Sequence, residues 1–367
     1  MVVVIHIGRN MEARNAIAVC GTFDRSGGKP SGYMREFFKD SNAEVHNGGS
    51  MDSLKRILKG IKKYSIVYWF PNISNDEEKI VSRIKKENPT CSLITSKNNR
   101  DGTYSDADLV TRALKTRSAL LVEITERNGM FLGSVRDPLG NIFLKDEQDP
   151  SEVYFVVSQR IDEIRSFTRI RSYSLGKALV VPDETHFFGL IKSYADRFHE
   201  LIHAANSERM LGNACFRCER GFPGVKRDGQ VYVSRRNIDK RFIGPEGFIA
   251  VEKLNNMNGE GWSVGYHGDI KPSVDTPIQL LLFEAFPSIR YILHSHTYIA
   301  DAPFTSVPIP CGSMEEAEHI KKMHSGNLNE DLYYINLLGH GSLVMAAYPN
   351  LIENINYIAR PVPETML

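Results

Sequence analysis

His294-Ser295-His296 closes an apolar run, Ile289-Arg290-Tyr291-Ile292-Leu293. On a strand, residues i and i+2 project from the same face, so the two imidazoles can converge on one cation. Zinc, or another divalent metal, needs a third ligand of this kind, and a catalytic ion also needs an open position. His340 is the third candidate. It ends the run Ile335-Asn336-Leu337-Leu338-Gly339 and is followed by Gly341, which lets the chain turn sharply.

A second constellation is Gly268-Asp269-Ile270-Lys271-Pro272-Ser273-Val274-Asp275-Thr276-Pro277. Asp275 or Thr276 can cap a helix that Pro277 helps to start. Such an N-terminus, with Ser273 beside it, can hold an anion. Asp275 is also placed to act as a general acid or base near a metal, the alternative being a carboxylate at the positive end of a plain helix.

Other patterns carry less. His199-Glu200-Leu201-Ile202-His203 fits H-E-x-x-H, but it lacks the extended downstream continuation and reads as a solvated helix flank. Cys215-Phe216-Arg217-Cys218 has no second pair at finger spacing. Residues 217–241 are rich in arginine and lysine, including Arg235 and Arg236, and suit either a solvated hairpin or a phosphate site. The glycine-rich loop at 26–32 could cradle a phosphate, yet it matches neither the Walker nor the dinucleotide fingerprint.

The elements that must carry these residues fall into two α/β groups. Apolar runs at 2–7, 16–20, 65–70 and 92–94 alternate with helical periodicity at 51–64 and 75–87, as in a Rossmann-like layer with a mostly parallel sheet. Runs at 119–125, 130–135 and 141–144 read as antiparallel strands, and 151–169 as a helix. Residues 172–185 make the best boundary, so the expected domains are 1–175 and 176–367. In the second, 187–205 is strongly helical, 231–233, 248–251, 291–296 and 342–346 are strands, and 277–286 is a helix.

The chain has 367 residues, enough for two cores. Its 45 Lys+Arg balance 44 Asp+Glu for a net charge of +1, which argues against a general nucleic-acid binder. No apolar run is long enough to span a bilayer, and the first residues lack a secretory signal. The 5 cysteines are few and odd in number, which fits a reducing, cytoplasmic setting better than a disulfide framework.

Taken in order, the motifs of the second half resemble the class II aldolase/adducin family over about residues 184–350. Leu211-Gly212-Asn213-Ala214-Cys215-Phe216-Arg217 resembles the family's phosphate loop. Lys271-Pro272-Ser273-Val274-Asp275 resembles its acid/base motif. His294-Ser295-His296 and Gly339-His340-Gly341 match its zinc ligands. The resemblance implies an α/β/α fold and a zinc lyase, often tetrameric, acting on a small phosphorylated hydroxy-carbonyl or sugar through a zinc-stabilised enediolate. It places zinc on His294, His296 and His340, proton transfer on Asp275, and the phosphate on Gly212, Asn213, Ser273, Arg235 and Arg236. It also accounts for the helix bearing His199 as the family's opening helix.

The chain departs from the family pattern in places. Asp275 stands where the family usually has Glu. The segment that carries a catalytic tyrosine in sugar-phosphate aldolases is missing, leaving Tyr298 as the close candidate. A dehydratase or epimerase on the same scaffold, or an adducin-like binding protein with structural zinc, are the alternatives.

Overall fold

The computed structural model describes residues 16–20, 29–39, 41, 43–47, 59–60, 64–70, 75–99, 101–201, 212–218, 229–255 and 261–366. The chain forms two compact units, Met1–Glu163 with Leu367, and Ile164–Met366. The strand expected at 2–7, most of the helix expected at 51–64 and the start of the glycine-rich loop lie outside the described residues.

In the first unit, strands Glu44–Asn47, Ala16–Cys20, Ile66–Trp69, Ser92–Asn98 and Leu120–Arg127 lie side by side in that order, all parallel. Met130–Arg136 and Asn141–Glu147 continue the sheet antiparallel, as their short connections require. The turn between them is fixed by Asp137, whose Oδ1 accepts from the Leu139 and Asn141 amides. The sheet is therefore mixed. Helices Asn75–Glu87 and Asp106–Thr116 bury the apolar stripe that periodicity indicated, with Val81, Ile84, Leu109 and Ala113 inaccessible or nearly so. Ser105 and Asp108 close a capping box at the start of the second.

The expected boundary at 175/176 falls inside the second unit. Ser172–Ser174 pairs parallel with Trp262–Tyr266, so this short strand belongs to the second sheet. Weak composition change around 172–185 gave no hint of that pairing.

The second sheet runs Leu332–Leu337, Gly341–Ala346, Tyr291–Ser295, Asn213–Arg217, Val231–Ser234, Phe248–Asn255, Trp262–Tyr266, Ser172–Ser174. All neighbours but the last pair are antiparallel. Alternation along the strands separates two cores. Cys215, Ile292, Leu343 and Met345 pack with helices Thr276–Ala285 and Glu315–Met323. Ala214, Phe216, Tyr291, Leu293 and Val344 pack with Phe187, Phe188, Ile191 and Phe198 of helix Thr185–Leu201. The result is an α/β/α sandwich.

Phe216 is fully buried, with its ring centroid 5.2 Å from those of both Tyr232 and Phe248. Aromatic pairs of this kind contribute about 0.5–1.5 kcal/mol each beyond area burial. Among the described residues no helix is long and apolar enough to cross a membrane.

Candidate metal centre

Alternation decides which way His294 points. Ile292 faces the core that holds helix Thr276–Ala285, and His294, two residues on, faces the same way. His340 comes to it from the turn that joins Leu332–Leu337 to Gly341–Ala346. That turn lies hard against strand Tyr291–Ser295. A Cβ on Gly341 would stand 2.0 Å from the Ser295 carbonyl oxygen, and one on Gly212 would stand 2.5 Å from that of His294. Both glycines are needed for close approach.

The three imidazoles converge. Their ligand atoms lie within 4.8 Å of one another. Ring centroids are 4.7 Å apart for His294 and His340, 5.2 Å for His294 and His296, and 5.1 Å for His296 and His340. His294 and His340 are buried, and His296 keeps slightly more exposure.

The outer nitrogens are fixed by the chain. His294 Nδ1 donates to the Ser342 carbonyl at 2.9 Å, which turns Nε2 inward. Glu316 Oε2 lies 3.1 Å from His340 Nδ1, so that nitrogen carries the proton and Nε2 again faces the centre. His294 Nε2 is buried without a hydrogen-bond partner. An orphaned inward lone pair beside two further imidazoles fits a divalent cation.

Burial lowers the His294 pKa to about 4, with the charge of His340 adding to the effect. Burial likewise holds His296 well below its ordinary value. Both are therefore neutral near pH 7, the form that ligates metal. Burial also opposes charge on His340, but the Cys311 sulfur and the Glu316 carboxylate together outweigh it and hold that imidazole above its usual range. Glu316 is itself raised by burial, with His340 pulling the other way.

Asp275 sits at the N-terminus of helix Thr276–Ala285 but makes no side-chain cap. Its Oδ2 accepts from Asn213 Nδ2 at 2.7 Å and from the Ser273 hydroxyl at 3.3 Å. Its Oδ1 is buried with no partner. The charges of Asp275 and His294 act on each other across the site.

Asn213 also donates to Ser273 Oγ at 3.1 Å and accepts from Gln279 Nε2. Both its amide hydrogens are thus engaged within the chain. Arg235 is half-buried beside Pro272, with which it forms a β-bridge, and its Nε has no partner. Arg236 is exposed, and its amide donates to the Lys271 carbonyl. A cavity of about 660 Å³ is lined by Arg235, His267 and Asp269 among others, and none of the three histidines lines it.

Several sequence candidates lie elsewhere. Arg217 spends its guanidinium on the Phe283, Pro287 and Ile289 carbonyls, at and beyond the end of helix Thr276–Ala285. Cys215 and Cys218 are buried in opposite cores. His199 is exposed on its helix, and His203 lies outside the described residues. Tyr298 gives its hydroxyl to Glu364 at 2.7 Å and takes the Gly339 amide at 3.0 Å, so it braces the His340 turn. Glu316 and Cys311 were not singled out as site residues by motif. Their only sequence signal is the turn at Pro310-Cys311-Gly312 and the acidic start of the following helix.

Over 76 residues the chain is 36% identical to methylthioribulose-1-phosphate dehydratase of Picosynechococcus sp.. That stretch is 21% of this chain and 33% of the relative, so the match spans about a third of that protein's length. A solved structure of the DNA/pantothenate metabolism flavoprotein from Streptococcus pneumoniae aligns with 41% of this chain and 99% of its own, at 14% identity and a TM-score of 0.30. Residues 193–346 match the Class II Aldolase and Adducin N-terminal domain, a stretch that includes all three histidines, Asp275 and Glu316. The chain thus carries, in its second unit, a domain of the class II aldolase and adducin family.

Proposed function

We propose that this protein is a metal-dependent lyase acting on a small phosphorylated hydroxy-carbonyl compound, and that Asp275 is its acid/base. The observation that carries the reading is the Asp275 Oδ1 atom, buried and without a hydrogen-bond partner, on a carboxylate whose charge bears on His294. His294, His296 and His340 would hold a divalent metal, zinc by the nature of three imidazoles, which supplies Lewis-acid polarisation of a carbonyl when bound. Asn213 holds the Asp275 carboxylate in one orientation through Oδ2. Oδ1 is then free to take a proton from the substrate and to return it to the leaving fragment. Ser273, the Gly212 backbone amide, Arg235 and Arg236 supply donors for the phosphate.

Proton removal next to a carbonyl serves either loss of water or carbon–carbon cleavage. Two observations favour loss of water. Tyr298, the tyrosine that follows the His294–His296 pair in the chain, is tied to Glu364 and Gly339, and the named relative is a dehydratase. In this reading the first unit is a Rossmann-like domain whose ligand is open, and the enzyme is a homo-oligomer.

The test is to load the protein with zinc and offer two substrate sets. One is methylthioribulose 1-phosphate, followed for loss of water; the other is dihydroxyacetone phosphate with an aldehyde, followed for carbon–carbon bond formation. In parallel, dihydroxyacetone phosphate in D2O reports proton exchange alone. Exchange abolished in Asp275→Asn supports the assignment. Bound zinc with no exchange and no turnover on either set would leave an adducin-like binding protein.

A further inference from the structure

Residues 356–364 lie beyond residue 346, where the match to the family domain ends, and they clasp the residues that follow His296. Tyr357–Ile358 pairs antiparallel with Tyr298–Ile299, and the Ala300 amide donates to the Asn356 carbonyl at 2.9 Å. The clasp is anchored on helix Thr185–Leu201. The Tyr357 ring is buried against Tyr194 and Phe198, with centroids 5.0 and 4.6 Å away. Arg197 of the same helix donates to the Tyr357 carbonyl at 2.8 Å.

Further along the segment, Glu364 takes the Tyr298 hydroxyl proton, with both carboxylate oxygens 2.7 Å from the hydroxyl oxygen. Arg360, itself buried, donates to the same carboxylate at 2.9 Å. The phenol has one proton, and it is spent on Glu364. On its other side the oxygen can only accept, and there it takes the Gly339 amide at 3.0 Å.

That amide belongs to the turn that presents His340. The His340 amide donates to the Leu337 carbonyl at 2.9 Å, which closes the turn, and Gly339 at its third position is left-handed at φ 70°. The Gly339 amide takes no part in the closing bond and is buried, so it needs an acceptor from outside the turn. Asn336, in the strand that leads into the turn, accepts from the Ile299 amide at 2.8 Å and donates to the Ile299 carbonyl at 2.9 Å. Tyr298 is thereby held beside the turn. What is left to set is the direction of its hydroxyl proton.

We infer that Glu364 is a positioning residue of the metal centre. By fixing the Tyr298 hydroxyl as an acceptor for Gly339, it holds His340 in register with His294 and His296. The inference rests on the three-histidine metal reading and goes beyond it, because it makes metal affinity depend on a segment outside the matched domain. Without the carboxylate the phenolic proton is free to turn toward the Gly339 amide. Donor then faces donor, and the turn that carries His340 loosens.

Zinc affinity by chelator competition, and the visible bands of the Co2+-loaded protein, read the effect without turnover. The bands report ligand geometry. Glu364→Gln keeps an acceptor oxygen and should retain both affinity and bands. Glu364→Leu keeps the bulk and removes the acceptor. Its zinc affinity should fall by about tenfold, the lower end of what losing an outer-shell partner costs, and its cobalt bands should shift. Tyr298→Phe leaves the Arg360–Glu364 pair in place and removes the same link from the other side, so it should show the same loss. The double variant should lose no more than either single one.

A role in folding alone would lower the melting of the apo protein and leave affinity and cobalt bands untouched. Unchanged affinity in Glu364→Leu, a Glu364→Gln that loses as much as Glu364→Leu, or additive losses in the double variant would each overturn the proposal while leaving the three-histidine site standing. If Glu364→Leu does not fold, Tyr298→Phe carries the test, and unchanged affinity there overturns it equally. Wild type that binds no metal would overturn both readings.

Discussion

Asn213 Nδ2 donates to Asp275 Oδ2 at 2.7 Å, and the other carboxylate oxygen is left buried without a partner. Asn213 is itself 2% exposed and anchored by Gln279 and Ser273, so the carboxylate is held on one side only. This asymmetry separates two roles that substitution can pull apart. Asp275→Asn keeps the shape and can still accept from Asn213 through its amide oxygen. It should retain metal at wild-type stoichiometry and lose proton exchange by about 10²–10⁴-fold, the usual weight of general acid/base catalysis. Asn213→Ala should leave metal content unchanged and lower the rate less, because the base is present but unrestrained. Metal content by mass spectrometry beside the exchange rate checks both. Loss of metal in Asp275→Asn would make Asp275 a ligand instead of the base.

Glu316 is 4% exposed and points at the outer nitrogen of His340. Outer-shell carboxylates of this kind orient a ligating imidazole and raise its basicity, and losing one typically costs about 10–100-fold in metal affinity. Glu316→Gln retains an acceptor at nearly the same reach but removes the charge. Zinc affinity by titration calorimetry should fall within that range, with the melting of the apo protein little changed. Equal affinities in the two proteins would show that Glu316 serves packing only.

The parts legible in the sequence were those whose signal is local. The spacing of His294 and His296 on an apolar run gives a shared strand face whatever the tertiary fold, and the glycines around His340 mark a turn. Asp275 was legible because Pro277 announces a helix start. Glu316 carries only the weak signal of an acidic helix start. It reaches His340 because helix Glu315–Met323 packs its Ala317 and Ile320 on the sheet face that His294 shares, a relation set by tertiary packing. The pairing of Ser172–Ser174 with a strand some ninety residues later was hidden for the same reason. The role of Asn213 was half-legible. Its place in a Gly-Asn motif pointed to the site, but only the geometry shows its amide spent on Asp275.

Lys240 offers a pH-dependent test of how the site is built. It lies in the short turn Lys240–Phe242, is 7% exposed, and burial lowers its pKa to about 8, with Asp239 only partly offsetting. Its charge bears on both His294 and His296. In the unfolded chain a lysine titrates near 10.4. Below pH 8 the ammonium is charged in both states, and its burial costs the folded protein in full. As pH rises from about 8 to about 10.4, the unfolded chain holds the extra proton, and stability climbs. Lys240→Met keeps the length and removes the charge. It should therefore be more stable than wild type at pH 7, by about 3 kcal/mol as an upper figure from the size of the shift. The difference should shrink toward zero by pH 10.5. Urea midpoints of both proteins at the two pH values read this directly, since other groups that titrate at high pH cancel in the comparison. A variant less stable at pH 7, or a difference that does not change with pH, would mean that the ammonium is stabilised where it lies and carries no burial cost.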